Sequence, residues 1–139
     1  MSLRRNKKNL LSIICVVLNS REAVKKTLYS IGEQDLEDVE VIIIDGGSSD
    51  GTIEEIKKNY KIVDSFVSES DQGLYDAMNK GVRISNSKYI HFLNSGDVFY
   101  NKHSLEILKT VLSEEIVNLY KFQYVLNGEL KEEKLSYFY

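Results

Sequence analysis

The chain has one cysteine, no proline and no tryptophan in 139 residues. A lone thiol excludes an internal disulfide, and the place of Cys15 inside an apolar run marks it as a small buried hydrophobe rather than a nucleophile. The missing proline points to no particular function. The chain has no Cys/His cluster with zinc-ligand spacing and no usable Ser/His/Asp arrangement. His91 reads as a partnered strand histidine, and His103 falls near a helix start. Neither sign of charge dominates: a net charge of −3 gives no general attraction to nucleic acid, and the nine tyrosines do not interleave with basic residues as a stacking platform would. No apolar run approaches the about 20 residues of a membrane-spanning helix. The basic start (Arg4, Arg5, Lys7, Lys8) precedes residues 10–18 without a small-residue cleavage site, so no signal peptide is read there and a cytoplasmic location is the expectation.

What the chain does have is an ordinary globular composition, 42% hydrophobic and 28% charged, and a length that suits one domain with a real core. Strand and helix patterns alternate. Residues 10–18 (LLSIICVVL) read as a strand, with Asn19 and Ser20 capping a helix over 21–33 whose apolar positions are Ala23, Val24, Leu28 and Ile31. Residues 39–44 form the second strand, and Thr52 opens a short helix with Ile53 and Ile56 on one side. A short third strand over 65–68 and a turn at 71–73 lead to a helix over 74–85, with Leu74, Ala77, Met78, Val82 and Ile84 as its apolar set. A fourth strand (89–93) and a helix (104–112) follow, then a fifth strand over 118–126 and a hairpin-type turn at Asn127 and Gly128. Such alternation predicts an α/β fold with a mostly parallel, Rossmann-like sheet and helices on both faces. Right-handed crossovers then bring the loops after strands one, two and four, with Asn19, Asp45 and Asp97, to one sheet edge.

The segment 39–52 (VEVIIIDGGSSDGT) is the most informative. A near-continuous Val/Ile run is the pattern of a strand buried on both faces, and it runs directly into Asp45. In open parallel sheets, ligands sit at the carboxyl ends of the strands, so Asp45 is a candidate ligand contact; the competing reading is that Asp45 and Asp50 cap a turn and a helix start. Gly46 and its neighbours allow close backbone approach, yet the loop is neither a P-loop nor a dinucleotide fingerprint. In 70–81 (SDQGLYDAMNKG), Asp76, Asn79 and Lys80 share one helix face, turned either to the ligand or to solvent. After the fourth strand comes 94–97 (NSGD), where Asp97 is either a Mg²⁺ or Mn²⁺ ligand or part of an Asx turn.

Taken in order, these residues resemble the family-2 type of inverting glycosyltransferases with the GT-A fold, over about 10–126. Leu18-Asn19 is similar to the family's Tyr-Asn ending of the first strand. Residues 44–52 are similar to its Asp-Asp-Gly-Ser loop, 71–81 to the variant in enzymes that build bacterial surface polysaccharides, and 92–97 stand where the Asp-x-Asp metal signature lies. The resemblance implies transfer of a sugar, with inversion, from a uridine or guanosine diphosphate sugar to a glycan or lipid-linked acceptor. It implies donor contacts from Asn19, Asp45, Gly46, Asp76, Asn79, Lys80 and Ser95, with Asp97 holding Mg²⁺ or Mn²⁺ on the diphosphate. Two departures stand out: Gly46 replaces the second acid of the Asp-Asp pair, and Asn94 and Gly96 leave Asp97 as the only carboxylate of the metal signature. No later acid sits in a recognisable catalytic-base motif, so residues 1–139 read as a single donor-binding domain without the acceptor half. A polyprenol-linked acceptor implies peripheral contact with the inner face of the membrane. The alternatives are a non-catalytic nucleotide-binding or interaction module and, less well matched because residues 18–21 (LNSR) carry no acid, a receiver-like signalling domain.

Overall fold

The computed structural model describes residues 8–114 and the strands Gln123–Leu126 and Glu129–Glu132. Four strands, β1 (Asn9–Val17), β2 (Val39–Asp45), β3 (Ser65–Ser68) and β4 (Ser87–Phe92), form one sheet in the order β3-β2-β1-β4, every pair parallel. The helices between them are α1 (Arg21–Gly32), α2 (Thr52–Lys58) and α3 (Leu74–Ile84), and α4 (Ser104–Ser113) follows β4. Parallel pairing puts all four carboxyl ends on one edge.

Alternation along each strand explains the unbroken apolar runs. Leu11, Ile13, Cys15 and Val17 of β1, with Val39, Val41 and Ile43 of β2, pack against Val24, Leu28 and Ile31 of α1, Ile56 of α2 and Leu105 and Leu112 of α4. Ile14, Val16, Ile42 and Ile44 point the other way, onto Ala77 of α3. With helices on both faces, β1 from Leu11 onward and all of β2 except Glu40 are buried, so these central strands can run nearly unbroken in apolar residues. Each such side chain contributes roughly 1.5–3 kcal/mol on burial.

One reading needs correction. Of the apolar set expected for the helix over 74–85, Ala77 is buried and Met78 packs half-buried beside it, but Leu74, Val82 and Ile84 are exposed, and Gly81 is buried in their stead. The small residues are inside because the helix lies so close to β1 that a Cβ on Gly81 would stand 2.5 Å from Ile14 Cγ2. The strand expected over 118–126 is found at Gln123–Leu126 (β5), and it pairs antiparallel with Glu129–Glu132 (β6) in a separate two-stranded sheet, the pairing that a hairpin-type turn implies. The turn at Asn127 and Gly128 lies outside the described residues.

Candidate functional site at the carboxyl edge

The edge is built outward from β1. Beyond the last paired residues, Gly46 N–H donates to Val17 O on one side and Ser95 N–H to Val16 O on the other. The loops after β2 and β4 therefore flank the end of β1, within about two strand spacings, roughly 10 Å, of each other. On the far side of β2, Glu69 N–H donates to Asp45 O and brings in the loop after β3.

Asp45 organises the centre. Its side chain is 0% exposed. One carboxylate oxygen accepts from the Ser48 hydroxyl, and the other from Gly47 N–H (3.1 Å), Ser48 N–H (3.0 Å) and the Ser68 hydroxyl (2.7 Å). No lysine or arginine among the described residues forms an ion pair with it; backbone and hydroxyl dipoles hold the carboxylate. Ser48 carries the order onward, since its hydroxyl also accepts Asn19 N–H at 2.7 Å. Asn19 sits at φ 46° and accepts Ser49 N–H through Oδ1 at 2.8 Å. Its side chain thus ties the β1 loop to the β2 loop and caps no helix; the hydroxyl of Ser20, the residue before α1, likewise turns back to Leu18 O. Asp50 receives Arg21 N–H, Thr52 N–H and the Thr52 hydroxyl, joining the starts of α1 and α2. The Thr52 hydroxyl, foremost among these donors, holds the Asp50 carboxyl below its ordinary range.

The loop after β3 is clamped by Lys80. Its ammonium meets Glu69 (3.0 Å), Asp76 (3.4 Å) and the Ser70 carbonyl (3.3 Å). Asp76 also accepts Gln72 N–H at 3.0 Å; that bond chiefly lowers its carboxyl, while Glu69 chiefly raises the Lys80 ammonium. Asp76 and Lys80 thus shape the 69–72 loop, while Asn79 on the same helix is exposed.

The fourth loop docks on α1. Thr27 Oγ1 accepts Gly96 N–H at 2.9 Å and donates to Asp97 O at 2.8 Å. The Asp97 side chain remains exposed, close enough to the end of the sheet for its charge to act on Cys15 and His91. Burial pushes the Cys15 thiol up to about 12, with Asp97 adding to the effect. Burial lowers His91, which stacks on Phe99, and Asp97 opposes that shift. A thiol raised this far is neutral at pH 8, so a disulfide-exchange reagent is expected to label Cys15 only after denaturation; the optical titration of free thiol with and without guanidinium checks this. Beside Asp97, Asn94 Oδ1 and Ser95 Oγ are buried oxygens with no hydrogen-bond partner among the described residues.

Asp71, read from the sequence as a turn residue opening the 71–81 motif, has a carboxylate that reaches the place where a side chain on Gly46 would begin. Nothing in the spacing signals that approach, because the two residues belong to different loops. A shallow groove of about 770 Å³ between α1 and the 98–102 loop, lined by residues such as Lys25, Tyr29, Asn59 and Phe99, contains none of the edge residues. The chemistry-bearing groups gather at the strand ends instead, the ligand-binding edge of open α/β sheets.

These features define an α/β domain with the GT-A fold. Its likeness to solved glycosyltransferases bears this out: TM-score 0.69 at 24% identity with Staphylococcus aureus TarS 1–349 in complex with UDP (76% of this chain, 32% of that one), and 0.67 at 20% identity with the Pyrobaculum calidifontis mannosyltransferase PcManGT in complex with GDP-Man and Mn²⁺ (75% and 32%). The family model for glycosyl transferase family 2 matches residues 12–136, and the chain belongs to that family. A PGL/p-HBAD biosynthesis glycosyltransferase of Mycobacterium tuberculosis is 31% identical over 113 residues, a match that takes in 74% of this chain and 41% of that protein. The chain thus spans well under half of the length of such relatives.

Proposed function

We propose that this domain binds the donor of a glycosyl transfer, a uridine or guanosine diphosphate sugar, at the carboxyl edge, and that the protein it represents transfers the sugar with inversion to a glycan or lipid-linked acceptor. The observation that carries the reading is the Asp45 network, which fixes the β1, β2 and β3 loops around one edge. Neighbours solved with UDP and with GDP-Man support this class of ligand, and a relative named as a PGL/p-HBAD biosynthesis glycosyltransferase supports the transfer.

The roles divide by chemistry. Asp45 is a positioning residue that fixes the loop carrying Gly46. Asn19 and Lys80 hold neighbouring loops in register, with Asp76 and Asn79 on the α3 side and Ser95 on the β4 side. Asp97 is the cation ligand. Among the described residues no group of three or more His, Cys, Asp and Glu side chains could hold a metal. A single carboxylate with hard oxygens nearby suits Mg²⁺ or Mn²⁺ that takes its remaining ligands from phosphate and water. Asn94 Oδ1 and Ser95 Oγ, lacking partners beside it, are oxygens of that kind. Such an ion supplies charge neutralisation to the departing diphosphate. In an inverting transfer the acceptor oxygen bonds to the anomeric carbon as the bond to the phosphate oxygen breaks, and the hydroxyl proton passes to a base. No described residue is assigned as that base. Among the described residues no helix is long and apolar enough to cross a membrane, and a lipid-linked acceptor would be met at the membrane surface.

Titration calorimetry with UDP and GDP, with and without Mn²⁺, tests the proposal. Binding is expected to tighten at least about tenfold with Mn²⁺, and Asp97→Ala is expected to abolish that gain while leaving thermal stability within about 0.5 kcal/mol of the parent, as for an exposed residue. Absence of binding at millimolar nucleotide, or a Mn²⁺ gain that survives in Asp97→Ala, would overturn it.

A further inference from the structure

Residues 93–103, between β4 and α4, form no helix or strand of their own, so their main-chain polar groups need partners from elsewhere. One row of α1 supplies them. Thr27, Ser30 and Gln34 follow at helical spacing, Gln34 just past the end of the helix, and so lie on one side of it. Thr27 Oγ1 accepts Gly96 N–H and donates to Asp97 O. Ser30 Oγ accepts Phe99 N–H at 2.8 Å. The Gln34 amide donates to Asn101 O at 2.9 Å and accepts Leu105 N–H at 3.0 Å. That last bond also satisfies a donor at the start of α4, where His103 makes no side-chain cap. Thr27 is 0% exposed and Gln34 8%, the depth at which a polar side chain is nearly always bonded. Ala23, one turn earlier on the same side, backs the loop directly: a Cβ on Gly96 would lie 3.8 Å from Ala23 Cβ.

The row begins at Asp97. Asp97 N–H donates to Asn94 O at 2.9 Å, closing a turn in which Gly96 has φ 99°, and Asp97 O is held by Thr27. The main chain of Asp97 is thus fixed on both sides of its Cα, while its side chain stays exposed. Resting on the donor-binding reading above, we propose that Thr27, with Ser30 and Gln34 behind it, is the positioning residue for the cation ligand: α1 presets the main chain of Asp97, so that taking up an ion has to order one carboxylate and not a loop. Thr27 is fully buried, so it acts through Asp97 and not by touching the ligand. A site with one protein carboxylate depends on such placement more than a site with several, because no second charged side chain compensates for a shift. Loss of the Thr27 hydroxyl leaves Gly96 N–H and Asp97 O without this partner and frees the turn to carry the carboxylate off its place.

The test is calorimetry of the full chain with UDP and GDP, with and without Mn²⁺, alongside the paramagnetic resonance signal of free Mn²⁺, which falls as the ion is taken up. Groups that hold a metal ligand in place change metal affinity by roughly 10- to 100-fold. Thr27→Val keeps the branched shape and removes the hydroxyl. It is expected to lose most of the Mn²⁺ gain and to leave more of the ion free, while its affinity without Mn²⁺ stays within about twofold of the parent. Thr27→Ser keeps the hydroxyl and is expected to retain the gain. Ser30→Ala, farther along the row, is expected to lose a smaller part of it. A defect of the fold alone would weaken binding with and without Mn²⁺ alike, and thermal unfolding of each variant reports it directly. A folded Thr27→Val that keeps the Mn²⁺ gain, or that loses affinity equally in both conditions, overturns the role of Thr27 and leaves the donor site standing. Where Thr27→Val does not fold, Ser30→Ala decides by the same two readings. A parent that binds UDP or GDP with no Mn²⁺ gain overturns the cation at Asp97 and the role of α1 with it. A parent that binds neither nucleotide overturns the donor site itself.

Discussion

Asp45→Ala is expected to cost at least about 3 kcal/mol of stability and to abolish nucleotide binding in whatever fraction remains folded. The truncation removes the acceptor for two backbone N–H groups and two hydroxyls, and Asp45 and Ser48 are both buried. Hydrogen bonds to a charged group contribute roughly 1.5–3 kcal/mol each, and a buried donor left without a partner carries its full desolvation cost. The four bonds share one carboxylate, so the losses do not add, but even one or two of them are a large share of the about 5–15 kcal/mol that holds a domain folded. The carboxylate has no cationic partner among the described residues to be orphaned by its removal, so the damage is confined to the donors. Ser48→Ala is expected to give a smaller loss, because it removes one bond to Asp45 and the acceptor for Asn19 N–H while leaving the two backbone bonds in place. Urea unfolding measures the first quantity and calorimetry the second. An Asp45→Ala protein within about 1 kcal/mol of the parent, with nucleotide affinity unchanged, would show that the network does not organise the edge.

How much of this was legible in the sequence depends on whether the deciding interaction is local. The strand ending at Asp45 was legible because burial on both faces leaves an unbroken Val/Ile run, which few other settings allow. The first helix was legible for the same kind of reason: Val24, Leu28 and Ile31 repeat at helical spacing and are buried. The convergence of Asn19, Asp45 and Asp97 on one edge followed from parallel pairing alone. Tertiary proximity was not legible. Hydrophobicity marks Leu74 and Val82 for the inside of α3, yet distance of approach decides the matter, and only Ala77 and Gly81 are small enough to let the helix so near. The strand at Gln123–Leu126 was legible together with its antiparallel partner, because the Asn-Gly pair after it is a local hairpin signal. The use of Asp45 inside its own loop was legible as one of two readings, since an acid followed by Gly-Gly-Ser can serve a turn as readily as a ligand. The hydroxyl donated by Ser68, on the neighbouring strand, was not.

Gly81→Val is expected to destabilise the domain by about 3 kcal/mol, a fall in melting temperature of roughly 10 °C, and to weaken nucleotide binding although residue 81 lies outside the strand-end edge. The Cβ alone would stand 2.5 Å from Ile14 Cγ2, and 3.3 Å from its Cδ1. Ile14 is fully buried in the central strand, registered opposite Ile42 on one side and Phe92 on the other, so it has little freedom to retreat. The relief left is for α3 to lift from the sheet. Glycine inside a helix is itself unfavourable by about 1 kcal/mol relative to alanine, so its presence here reflects the close approach and not local propensity. Lifting α3 moves Lys80, its neighbour in the chain, and with it the clamp on Glu69, Ser70 and Asp76 that shapes the β3 loop. The coupling has a direct check. Ile14→Ala makes room beneath the helix, so adding it to Gly81→Val is expected to cost much less than the sum of the two single changes, a coupling of at least about 1 kcal/mol in a double-mutant cycle. Strictly additive losses in urea unfolding would mean that the helix does not meet β1 at this point, and unchanged nucleotide affinity in Gly81→Val would separate the packing of α3 from the loop that it carries.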